Sequence, residues 1–164
     1  MAVPSALRAP APVNLGVRLK AMTDHHHSEC LQATNVVART EQFTPGFAVQ
    51  SVDFSLNELG SESVLSIQRA IGPDADEPPE VCLVLSPSQQ CAANPFTEVV
   101  LAPGSLAIKL TTEAASVFGM GYLSISFSTN DELQSALHSQ LTAISAGFDF
   151  FSQCNITQKA SNGG

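Results

Sequence analysis

At 164 residues the chain is long enough for one domain around a single hydrophobic core. Hydrophobic residues make up 44% and charged residues 13%, against roughly 25% charged in an average soluble domain, so Ser, Thr, Asn, Gln and Ala must supply much of the surface. The net charge of −8 argues against nucleic acid and anionic membrane as partners of the acidic body, because both bind through clustered Lys and Arg.

Residues 1–30 read as an extended N-terminal arm, broken by Pro4, Pro10 and Pro12. Before Asp24 the arm carries Arg8, Arg18 and Lys20 and no acidic residue, so it holds +3 while the remainder holds −11. About 30 extended residues span up to roughly 100 Å, enough to lie on the acidic body of a neighbouring chain. The start lacks a secretory h-region and no apolar run reaches membrane-spanning length, so neither a signal peptide nor a transmembrane segment is expected. The expected location is a virion or the cytoplasm.

The arm meets the body at TDHHHSEC, residues 23–30, which supplies a first set of candidate metal ligands: His26, His27 and Cys30. On a helix, Cys30 meets His26 at a spacing of four and His27 at three. Zinc needs three or four converging ligands, and His138 is the only histidine elsewhere. The stretch therefore reads equally as a polar joint between arm and body.

LQATNVVART then gives one strand, closed by a turn at Thr44-Pro45-Gly46. In QSVDFSL, Val52, Phe54 and Leu56 alternate with polar residues and share one strand face. The same period recurs in Leu65, Ile67 and Ile71, with Arg69 interrupting, in Val81, Leu83 and Leu85, in Leu106, Ile108 and Leu110, and in Leu123, Ile125 and Phe127. ELGSES, GPDADEPPE, SPSQQCAANP, APGS and the pair Gly119 and Gly121 separate these runs as turns. Asp74, Asp76, Glu77 and Glu80 in the acidic loop form a second candidate set, for calcium, although Pro73, Pro78 and Pro79 limit how they wrap an ion.

Thr129-Asn130-Asp131-Glu132 matches a capping box with Thr129 as the cap. A helix over 131–146 follows, with Leu133, Leu137, Leu141 and Ile144 as its apolar stripe and Gly147 as its terminator. Phe148, Phe150 and Phe151 then offer core anchors or a subunit contact, and residues 157–164 read as a flexible tail. Strands with one apolar face need a second sheet, closure or a helix to cover it. The expected fold is mainly β: an antiparallel β-sandwich or small barrel of about six to eight strands, with one amphipathic helix near the C-terminus, in a single domain over 31–156.

Cys30, Cys82, Cys91 and Cys154 show no C-x-x-C spacing and read as free, buried thiols, although Cys82 and Cys91 are placed to meet across a short loop. There is no G-x-S-x-G, P-loop, dinucleotide fingerprint or H-E-x-x-H motif. Asp53, Asp149 and His138 would form an acid–base group only if the fold joined them. No enzyme activity and no cofactor are expected. With no Trp and only Tyr122 among tyrosines, the chain also lacks the aromatic platforms of a sugar-binding module. The expectation is a structural, self-associating protein, a homo-oligomeric subunit of a large particle such as a virion, partnered by copies of itself or by other particle subunits. The alternative is a non-catalytic ligand- or partner-binding β-sandwich module, calcium-dependent through its acidic loop.

Overall fold

The computed structural model describes residues 28–75 and 78–154. Ten strands form two five-stranded sheets. The first five elements are β1 (Ser28–Gln32), β2 (Asn35–Thr44), β3 (Phe47–Ser55), β4 (Val64–Ile71) and β5 (Val81–Ser86). They are followed by β6 (Gln90–Ala93), β7 (Phe96–Ala102), β8 (Ser105–Leu110), helix α1 (Thr112–Phe118), β9 (Tyr122–Ser126), helix α2 (Asp131–Ile144) and β10 (Phe151–Gln153). One sheet runs β2-β3-β4-β5-β6 and is antiparallel throughout. The other runs β1-β9-β8-β7-β10.

The alternation read from the sequence is the core of this sandwich. Val52, Phe54, Leu65, Ile67 and Leu83 from one sheet are fully buried in a single cluster with Leu106, Ile108, Leu123 and Ile125 from the other. Burying each such side chain contributes about 1.5–3 kcal/mol. Helix α2 joins the same cluster through Leu137, Leu141 and Ile144, with Leu133 partly buried beside them. The sheets keep separate edges, so the architecture is a sandwich and not a closed barrel.

Several details differ from expectation. The run LQATNVVART is two strands that belong to different sheets: Ala33 donates its N–H to Ser126 O at 2.8 Å, and Thr34 donates to Ser55 O at 2.9 Å. The chain crosses from sheet to sheet between these residues. Strand β1 starts at Ser28, ahead of residue 31 where the body was expected to begin. Residues 1–27 and the expected tail over 157–164 lie outside the described residues.

The second sheet is mixed, because β1 pairs parallel with β9 and β10 pairs parallel with β7. Both reach their partners through long connections, which parallel pairing requires. Strand β6 lies in a segment read as a turn. Its residues, QCAA, carry no apolar alternation, and the strand exists by pairing with β5 at the sheet edge.

Helix α1 was also unexpected, although its signals are local. Thr111 accepts from the Ala114 N–H at 3.2 Å, Glu113 lies in the first turn, and Gly119 closes the helix at φ +74°. Helix α2 starts at Asp131 as expected, but its cap is Asn130, whose side chain accepts from the Leu133 N–H at 2.8 Å. Thr129 instead donates to Asn130 O and to Gln134 Oε1. The helix ends at Ile144, short of residue 146, and Gly147 follows at φ +88°.

Candidate functional site

Of the predicted ligands, Cys30, Asp74 and Glu80 lie among the described residues. His26 and His27 lie outside the described residues, while Cys30 is exposed on β1 in register with Ser124. Cys30 lines a cavity of about 370 Å³ with Leu31, Glu58, Leu59, Phe118 and Met120. Glu58 is engaged there, its two carboxylate oxygens accepting from the Gln32 N–H at 2.9 and 3.2 Å. Asp74 and Glu80 are exposed, and Asp76 and Glu77 lie outside the described residues. The Asp74 N–H donates to Gly46 O at 3.1 Å and ties the acidic loop to the β2–β3 turn. Among the described residues, no three His, Cys, Asp or Glu side chains form a group able to hold a metal ion.

Nor do Asp53, Asp149 and His138 bond to one another. Asp53 is part of a polar cluster on β2, β3 and β4: Arg39 Nε lies 3.2 Å from Oδ2, and Ser66 Oγ donates to Oδ1 at 2.5 Å. Asp149 is exposed in the connection between α2 and β10. His138 is exposed on α2, with its ring 6.1 Å from that of Phe151.

The four thiols are free, as expected, but none is buried. Cys30, Cys82 and Cys91 occupy strand positions that alternate with the core residues, and this alternation turns them outward. Cys82 is in register with Ala93, and Cys91 with Val84, so the two cysteines are diagonal neighbours on one face of the β5–β6 pair. Cys82 Sγ donates to Glu80 Oε1 at 3.6 Å. Partial burial, then the neighbouring Cys91 and Glu80, push the Cys82 thiol up to about 12. Glu80 and Cys82 also line a shallow cavity of about 150 Å³ with Phe47, Val49, Gln68 and Ala70. A thiol held in its neutral form is a poor nucleophile and a poor metal ligand, so Cys82 itself is not a reactive centre at neutral pH.

The most extended exposed feature is β2. It pairs only with β3 among the described residues, and it is the edge of its sheet over ten residues. Val36 and Ala38 pack against the core, while Val37 and Phe43 on the other face remain 38% and 57% exposed. Arg39 and Glu41 lie between them, also exposed. No helix among the described residues is long and apolar enough to cross a membrane. Compared with protein-family models, with curated proteins and with solved structures, the chain matches none.

Proposed function

We propose that the chain is a structural, self-associating β-sandwich subunit of a large particle such as a virion, serving as a capsid, decoration or tail component, with the N-terminal segment ahead of β1 contacting neighbouring subunits. The observation that carries this reading is the division of charge: +3 before Asp24 and −11 from Asp24 onward. A basic segment joined to an acidic sandwich attracts the bodies of other copies as well as its own. Two further features support the reading. The surface is poor in charge and rich in small polar side chains, and the exposed edge strand carries Val37 and Phe43.

Size-exclusion chromatography with light scattering tests it. At micromolar concentration the full chain should run as a multimer. Removing residues 1–23, or raising salt to about 1 M where screening acts over roughly 3 Å, should lower the mass. A monomer whose mass is unchanged by the truncation overturns the reading.

A further inference from the structure

The geometry points to β2 as a twofold interface, at which a second copy of this chain adds its own β2 antiparallel about Thr40 and joins the two sheets into one. The inference rests on the self-association reading and names the surface through which it acts. Strand β2 has main-chain groups to offer. Leu56 donates its N–H across to Ser63 O at 2.8 Å, so even-numbered residues of β3 direct their main chain to β4 and odd-numbered ones direct it to β2. Arg39 is in register with odd-numbered Ser51, so the even-numbered residues of β2, from Val36 to Gln42, point their N–H and C=O groups to the open edge. Gln140 Nε2 agrees with this assignment: it reaches Arg39 O at 2.7 Å and Ser51 O at 3.4 Å, so both carbonyls lie within the β2–β3 ladder.

The outward face of β2 reads Val37, Arg39, Glu41, Phe43. An antiparallel copy centred on Thr40 sets Arg39 opposite Glu41 of the second copy, twice by symmetry, and brings Val37 towards Phe43, which lies in the register irregularity between Gln42 and Thr44. These are the non-hydrogen-bonded rungs, where side chains approach most closely. The rungs at Thr40 and between Ala38 and Gln42 would then exchange about six main-chain hydrogen bonds. Neighbouring registers fail. A slip of one residue sets outward residues against inward ones, and a slip of two sets Arg39 against Arg39 or Glu41 against Glu41. Arg39 is 59% exposed and holds Asp53 through Nε, which leaves its Nη groups for the second copy. The irregular register between Gln42 and Thr44 bounds the ladder at one end.

Sedimentation of the full chain and of two charge reversals tests the inference. Arg39→Glu alone and Glu41→Arg alone each set like charges opposite one another, and each should raise the dissociation constant by about tenfold or more. Mixed in equal amounts they regain Glu–Arg pairing at both rungs, so the mixture should associate as the wild type does. If the wild type associates and both variants do so equally well, the edge is not the interface and the wider reading stands. If the wild-type chain is a monomer at micromolar concentration, that reading fails and the inference with it. Thr40→Pro is the control for loss of the Arg39–Asp53 contact. It removes an outward N–H at the twofold while leaving the bonds to β3 in place, and it should abolish association with the circular dichroism spectrum unchanged; unimpaired association of this variant overturns the interface.

Discussion

Arg69 on β4 donates from Nη1 to the Ile144 carbonyl of α2 at 2.9 Å, and the same nitrogen reaches the Ala146 carbonyl at 2.6 Å. A helix leaves its last carbonyls without partners, and α2 has no basic residue in its own last turn. A strand from the facing sheet supplies the cation instead, at the negative end of the helix dipole. The guanidinium also lies over the Phe148 ring, 5.8 Å from its centroid.

Replacing Arg69 with Met keeps the apolar stem and removes the donors. The expected loss is about 2–3 kcal/mol, the usual worth of hydrogen bonds to a charged group when their loss strands acceptors. Arg69→Lys should recover part of it, since one ammonium cannot reproduce the planar fork. Urea unfolding followed by circular dichroism measures both, and an Arg69→Met midpoint equal to that of the wild type would show that the contact does not hold the helix end.

Arg69 also marks where sequence reading stops. The alternation of Val52 with Phe54, or Leu106 with Ile108, is legible because a strand buried on one face repeats every two residues. Arg69 breaks that repeat on β4, and only the position of α2 explains why an inward cation is satisfied. The crossing at Ala33 and Thr34 leaves no local mark either, since residues on both sides favour strands and the hydrogen bonds that separate them come from Ser126 and Ser55. Helix α1 was legible in principle from Thr111, Glu113 and Gly119, but its seven residues fall among glycines that read as turns. Of the two candidate metal sets, the described residues include only Cys30 of the first, on β1, and Asp74 and Glu80 of the second, in the connection between β4 and β5. The pattern of Val37, Arg39, Glu41 and Phe43 is visible in the sequence, yet it means nothing until topology shows that β2 is an edge.

Gly72 should be the least replaceable residue of the acidic loop. Its φ is +113°, and an added Cβ would stand 2.5 Å from the Gly46 carbonyl oxygen, a main-chain atom that cannot swing aside. Gly46 faces the Asp74 side chain instead, which can rotate away. Gly72→Ala should therefore destabilise by about 2–4 kcal/mol, combining backbone strain with the clash, while Gly46→Ala should cost less than half as much. Thermal melts of the two variants decide it; equal losses would show that the contact between the two turns is not the constraint.

Cys82 should behave as a thiol that resists ionisation. Its pKa is pushed from 9.0 up to about 12, first by burial, then by Cys91 and Glu80. At pH 8 alkylation by iodoacetamide, followed by mass spectrometry, should leave Cys82 unmodified in the folded chain while it reacts readily after unfolding in urea. Glu80→Gln removes a negative neighbour and should speed the reaction at a given pH, but only in part, because burial is the larger cause. The sign for stability follows from proton binding. Below 9.0 the folded and unfolded chains both hold the proton; between 9.0 and about 12 only the folded chain keeps it, so the contribution of Cys82 to stability is lost as pH rises through that window. Cys82→Ala should accordingly flatten the fall in stability over this range relative to the wild type, and parallel pH profiles for the two proteins would show that the thiol ionises freely in the fold.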